Sequence, residues 1–159
     1  MRYTLVLVLF LLSFCQCLAN EKAKEVYNFF KGTEYSEVAD IIAAQGALES
    51  AWYKNKSHVE KNNYFSILDP KKKDCRDNQV ECMLTYRSLK KSCEALLRLL
   101  RSRKYSTNRE GYIADLENGP GGNKRLRYAE DPRYVVKVLN AVNSLYEKGI
   151  VPEEVIYGG

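Results

Sequence analysis

The stretch Ala44-Gln45-Gly46-Ala47-Leu48-Glu49-Ser50-Ala51-Trp52 sets one carboxyl in a small-residue, apolar run, just ahead of the only tryptophan. Counting back from Glu49 in helical steps, Gln45, Ile42 and Val38 fall on the same side. The carboxyl therefore points along the buried stripe of a helix. A carboxyl held against apolar groups has its charged form disfavoured, and its pKa rises. An acid that keeps its proton near neutral pH suits cleavage of a glycosidic bond, whose leaving oxygen must be protonated. The competing reading is a helix-end carboxylate turned to solvent or paired with a lysine. A second polar cluster, Asn62-Asn63-Tyr64-Phe65, follows shortly after.

Other chemistries have less to build on. His58 is the single histidine, and Cys75, Cys82 and Cys93 lack a paired CxxC spacing, so no metal site is expected. No GxxxxGK phosphate loop occurs, and no cofactor is expected. Cysteine–histidine catalysis has no local motif to support it. The basic runs Lys71-Lys72-Lys73 and Arg98 to Lys104 suit a solvated loop and a solvated helix face, and nucleic acid is not an expected partner.

The elements that must position Glu49 are mostly helical. Residues 21–31 carry Ala23, Val26, Tyr27 and Phe30 on one face. Gly32 ends that helix, Thr33 is a candidate cap, and a second helix is expected from about Glu34 to Tyr53. Residues 54–86 lack helical period and read as turns with room for a short hairpin. A third long helix begins near Arg87 with Leu89, Cys93, Leu96, Leu97 and Leu100 inward, and a shorter one covers 108–117. Gly119-Pro120-Gly121-Gly122 breaks the chain. Asp131-Pro132 opens the last helix, whose stripe is Val135, Val138, Leu139, Val142, Leu145 and Tyr146. The expected class is α+β, predominantly helical, with a small irregular loop or hairpin lobe.

The first residues, from Arg2 through the apolar run Tyr3 to Phe14, form a secretory signal pattern, with cleavage expected after Ala19 and an uncleaved anchor as the alternative. The run is short for a membrane span, so no stable span is expected after cleavage. Residues 20–159 then form one domain, expected to be a monomer acting in the periplasm or cell wall. Losing residues 1–19 removes Arg2 alone among charged groups, taking the net charge from +5 to +4. Mild basicity suits an anionic polymer. Cys75 and Cys82 flank a polar insert, so a small disulfide-closed loop is plausible, while Cys93 sits in an apolar stripe as a buried thiol.

These residues resemble a known family. Residues 44–52 followed by Asn62-Asn63-Tyr64-Phe65-Ser66-Ile67 look like the AQAALESGWG and NNLFGI signature of bacterial glucosaminidase domains, glycoside hydrolase family seventy-three. Thr85-Tyr86-Arg87-Ser88 is similar to that family's Arg-x-Tyr-x-Ser, and Tyr128-Ala129-Glu130-Asp131-Pro132-Arg133-Tyr134 to its Tyr-Ala-Thr-Asp-Pro-x-Tyr. The four motifs occur in family order.

The resemblance implies a lysozyme-like fold, a helical lobe and a small β-lobe with a glycan strand between them. The implied partner is peptidoglycan, cut after N-acetylglucosamine at its β-1,4 bond to N-acetylmuramic acid. It also implies roles. Glu49 matches the general acid, Trp52 the cleft floor, Asn62 and Asn63 the pair that fixes loop geometry and can reach sugar, and Tyr128 the cleft tyrosine that bonds an N-acetyl group or positions water. Family glycines are replaced by Ala51, Tyr53 and Ser66, so the turn after the acid is expected to differ, with Tyr53 free to fill a sugar subsite. Candidates for the second carboxylate are Asp69, Asp74, Asp77 and Glu81, with Glu81 favoured because it adjoins Cys82. Where no carboxylate approaches, the substrate's acetamido group is the alternative nucleophile. The competing function is a non-catalytic wall-binding or assembly module, and a phage lysis enzyme would share the same chemistry.

Overall fold

The computed structural model describes residues 20–72, 75 and 79–152. The expected signal segment 1–19 lies outside the described residues, as do Asp74 and Asp77. Helix α1 runs over 20–31 and buries Ala23, Val26, Tyr27 and Phe30, the face its spacing predicts. Thr33 then forms a local cap: its hydroxyl donates to the Phe30 carbonyl at 2.8 Å and accepts from the Tyr35 N–H at 3.1 Å.

The helix that carries the acid is shorter than its sequence suggests. A 3-10 turn, Ser36–Val38, leads into α2, Ala39–Glu49. Helix α2 is buried all round rather than along a stripe: every residue from Ala39 to Ala47 is out of solvent. Its alanines and Gly46 are the reason. They let neighbouring elements approach from several sides at native packing density.

Three further helices close around it. Helix α5, Leu89–Arg103, is capped by Ser88 and presents the expected Leu89, Cys93, Leu96, Leu97 and Leu100 inward. Cys93 is a free, buried thiol, and burial pushes it up to about 12. Helix α6, Arg109–Asn118, is capped by Asn108 and gives way to a 3-10 turn at Pro120–Gly122. Helix α7, Tyr134–Glu147, crosses α2 and makes its main contact. Asp131 does accept a backbone N–H, from Arg133 at 2.9 Å, but helical geometry starts only at Tyr134. A buried polar clamp ties α2, α6 and α7 together. Asp40 accepts from Arg109 Nη1 at 3.0 and 2.8 Å and from the Tyr146 hydroxyl.

The aperiodic segment after α2 contains a helix that its pattern does not reveal. Helix α3, Lys56–Lys61, is one and a half turns long and is started by Asn55, whose side chain accepts from the Ser57 and His58 N–H groups. The expected hairpin is reduced to one antiparallel bridge, Leu68 with Met83, flanked by Leu84 N–H to Ile67 O at 3.0 Å and Asp69 N–H to Cys82 O at 2.8 Å. The short helix α4, Gln79–Cys82, forms the end of the insert, and a disulfide joins Cys75 to Cys82.

Gly46 has no room to grow. A Cβ there would lie 2.6 Å from the Tyr53 hydroxyl and 3.0 Å from Phe65 Cε1. Gly46→Ala is therefore expected to lose about 1–3 kcal/mol of stability, read as a lower urea midpoint with an unchanged slope.

Candidate active site

Glu49 is the last residue of α2. The negative end of the helix dipole disfavours a negative charge nearby. Burial does more. It pushes the Glu49 carboxyl above the usual carboxylate range, opposed by hydroxyls from Tyr134 and, more weakly, Ser66. The Tyr134 hydroxyl donates to Glu49 Oε1 at 2.9 Å. The side chain is half-buried and is not turned freely into solvent, the alternative its sequence position left open.

Tyr134 is itself held. Gln45 Nε2 donates to its hydroxyl at 3.4 Å, and the Tyr112 hydroxyl donates to Gln45 Oε1 at 2.7 Å. Gln45 and Tyr112 are wholly out of solvent. On the other side of the acid, His58 Nε2 lies 3.0 Å from Ser66 Oγ. The arrangement is a polar chain through the core that ends on one carboxyl. Chemically it can hold a proton and then receive the charge left when that proton goes.

The turn after the acid takes an unusual form. Ala51, Trp52 and Tyr53 have φ of 48°, 59° and 60°, three consecutive left-handed residues with none of them glycine. Ser66 has φ of 53°. The positions where the resembling family carries glycine thus enter the glycine-favoured region anyway. Side chains hold the turn in place. Ser50 Oγ donates to the Gly46 carbonyl and accepts from the Tyr53 N–H at 2.9 Å, and the Tyr53 hydroxyl donates to Ala43 O at 3.0 Å.

The sequence-derived site residues therefore divide. Trp52 is half-buried beside the turn, with Lys148 Nζ 3.8 Å from its ring centroid. Tyr53 is a correction: it is buried and its hydroxyl is bonded inside α2, which leaves no face for a sugar. Asn63 fixes loop geometry, the first of the two roles expected of it, and its burial leaves none of it for sugar. It is fully buried, donating to the Ile67 and Leu84 carbonyls at 2.8 and 2.9 Å and accepting from the Ile67 N–H at 3.0 Å. Asn62 ends α3 in a left-handed conformation and donates to Tyr86 O at 3.2 Å, so it sets loop shape. Tyr128 stacks on Tyr134 with ring centroids 5.8 Å apart, and its hydroxyl donates to Phe65 O at 2.7 Å. Its only hydrogen holds the loop. The hydroxyl on the acid comes from Tyr134 instead. Glu81 is exposed on α4, where its carbonyl accepts from Lys72 Nζ. Asp69 is half-exposed and its carboxyl accepts from the Lys71 N–H at 3.0 Å. Gln45 lies on the stripe drawn from Glu49, whereas Tyr112, His58 and Ser66 had no such signal.

A shielded acid fed by internal donors, on a helical frame with a small loop lobe, suits hydrolysis of glycosidic bonds. The chain belongs to the glucosaminidase family, described as mannosyl-glycoprotein endo-beta-N-acetylglucosaminidase, whose model matches residues 30–147. It is a glycoside hydrolase of the endo-β-N-acetylglucosaminidase type, in a family of peptidoglycan hydrolases. Comparison with curated proteins and with solved structures gives no match.

Two stability measurements check this geometry. Ala51 is exposed and left-handed, so Ala51→Gly relieves strain of about 1–2 kcal/mol, partly offset by the freedom glycine adds to the unfolded chain. The expected net gain is about 0.5–1 kcal/mol, seen as a higher melting temperature. The second concerns Glu49, whose folded pKa lies above its unfolded one. Its contribution to stability is complete below the unfolded value, about 4.3, and is lost as pH rises through the folded value. Glu49→Gln should therefore be more stable than wild type at pH 7, and the difference should close as pH falls below about 4. Urea unfolding at both pH values reads the sign directly.

Proposed function

We propose that this protein is an exported peptidoglycan hydrolase cleaving the β-1,4 bond between N-acetylglucosamine and N-acetylmuramic acid, with Glu49 as general acid. The observation that carries the reading is the Glu49 carboxyl, shielded at the end of α2 and bonded by Tyr134. The family match supports the reaction class. Glu49 gives its proton to the glycosidic oxygen as the bond to the anomeric carbon breaks. Tyr134 then meets the developing negative charge with its hydrogen already in place.

The reading keeps Glu81 as the second carboxylate, carried on the disulfide-closed insert. Where Glu81 stays in solvent during the reaction, the substrate's acetamido oxygen takes its place at the anomeric carbon. Trp52, next to the acid in the chain and part-exposed, is the proposed apolar floor for a sugar ring. Export rests on the signal pattern of residues 1–19, with its apolar run Tyr3 to Phe14, and on the substrate's place outside the cytoplasm; no helix among the described residues is long and apolar enough to cross a membrane.

Residues 20–159 are expected to clear a peptidoglycan suspension and release fragments with N-acetylglucosamine at the new reducing end. Glu49→Gln should bind the wall but lose about 10²–10⁴-fold in turnover. Glu81→Gln should fall comparably; activity within a few-fold of wild type would assign its role to the acetamido group. New reducing ends of N-acetylmuramic acid would overturn the bond assignment, and wild-type binding without clearing would make the domain a wall-binding module.

A further inference from the structure

We propose that the cationic segment Lys124-Arg125-Leu126-Arg127 is a binding arm of the active site, holding carboxylates of the peptide carried on the muramic acid beside the scissile bond. The inference rests on the peptidoglycan reading and deepens it. It makes peptide-bearing strand, rather than bare glycan, the preferred substrate.

The charge is local and unanswered. From Asn118 to Ala129 the chain holds three cations and no acid. Lys124 and Arg125 are exposed, and Arg127 is half-buried. No salt bridge among the described residues involves any of the three. Cations elsewhere are paired, as Arg101 is with Glu34 and Lys91 with Glu94. Asp131, close by in the chain, is already taken by Lys137 at 2.5 Å.

The segment is also built. Asn123 caps the 3-10 turn Lys124–Leu126 and accepts from the Arg125 N–H at 3.2 Å. The hydroxyl of the buried Tyr105 donates to the Leu126 carbonyl at 2.9 Å. Arg127 Nε donates to the Lys124 carbonyl at 3.3 Å. Gly119, at a φ of 79°, packs against the turn: a Cβ there would lie 1.9 Å from the Asn123 oxygen and 3.3 Å from the Arg127 nitrogen. The glycine break after α6 therefore does more than end a helix. It seats three cations on a fixed platform. A charged loop that needs only solvent has no use for a cap, a tyrosine pin and a glycine contact. Fixed cations lose less freedom when they bind an anion.

Its place follows from the contacts that continue it. Tyr128 comes directly after Arg127 and stacks on Tyr134, with ring centroids 5.8 Å apart. Tyr134 donates to Glu49 at 2.9 Å. The arm thus ends one residue before a ring that packs on the acid's own partner. The two sugars of the proposed scissile bond offer hydrogen-bonding groups but no charge in their rings. The anions nearest that bond are carboxylates on the peptide of the muramic acid. Arginine meets such a group as a fork and lysine as a point charge.

The test compares wild type with Lys124→Gln/Arg125→Gln. The control is Lys90→Gln/Arg98→Gln, which removes equal charge from exposed positions of α5. Each is assayed on soluble uncross-linked strands in three forms: native, amidated at the carboxyls with carbodiimide and ammonia, and freed of phosphate polymers with hydrofluoric acid. On native strands Lys124→Gln/Arg125→Gln should raise KM about three- to tenfold with kcat within about twofold, and the control should stay within about twofold in both. Amidation should raise the wild-type KM similarly and erase the difference between wild type and variant. Phosphate removal should leave that difference intact. An unchanged KM in the variant overturns the proposal, as does a control that falls equally, since net charge alone then acts. A difference that survives amidation, or that vanishes with the phosphate polymers, overturns the peptide assignment. Sedimentation with intact wall in a Glu49→Gln background reads binding without turnover. A wild type that cleaves nothing sinks the acid reading, and the arm is then judged by Kd: about three- to tenfold weaker in the variant supports it, and unchanged overturns it.

Discussion

One constraint organises the molecule: a carboxyl must be kept partly out of water at the end of a helix without being neutralised by a cation. Burial raises its pKa. A lysine or arginine against it would do the opposite, and no salt bridge among the described residues involves Glu49. Neutral hydroxyls are the compromise. They stabilise the charged form enough for proton release while leaving the protonated form populated. Asp40, on the same helix, shows the other solution. It is more deeply buried but faces Arg109 and Tyr146, and serves as structure.

That constraint explains the composition of α2. A helix buried all round must be slim, hence four alanines and a glycine between Ala39 and Ala47. It must also stop abruptly, or Glu49 would be followed by another buried turn. The left-handed run Ala51–Tyr53 provides the stop. Such a run costs roughly 1–2 kcal/mol per non-glycine residue, and the Ser50 and Tyr53 hydrogen bonds back into α2 offset part of it. Strain stored beside a reacting group is a common bargain between stability and function.

Much of this was legible in the chain. Helical phase placed Glu49 beside Gln45 and Ile42, and Gly32 and Gly119 marked helix ends from local chemistry alone. The failures have physical causes. Helix α3 is too short for periodicity and is specified by the Asn55 cap instead. The substituted glycines implied a different backbone, yet Ala51, Tyr53 and Ser66 hold the left-handed shape because surrounding contacts outweigh local preference. Tyr53 and Asn63 looked like sugar contacts because they sit in a motif; burial shows that motif residues also build the turn. The Tyr112–Gln45–Tyr134 chain joins residues 67 and 89 positions apart, which no local pattern encodes.

The loop lobe is nearly without sheet, yet the residue it contributes to the acid is fixed on both flanks. Phe65 offers its carbonyl to Tyr128, and Ile67 is gripped through both backbone groups by Asn63. Ser66 lies between these two anchors. Asn63 also holds the Leu84 carbonyl, on the segment that runs back to Met83, Cys82 and the disulfide. A single buried amide therefore links the Ser66 turn beside the acid to the insert that carries Glu81. Misplacement of a catalytic group by an ångström can cost a hundredfold in rate, so a lobe with one bridge needs such a link. Buried and fully bonded, Asn63 matters more to that geometry as a fastener between the two halves of the site than it could as a contact for sugar.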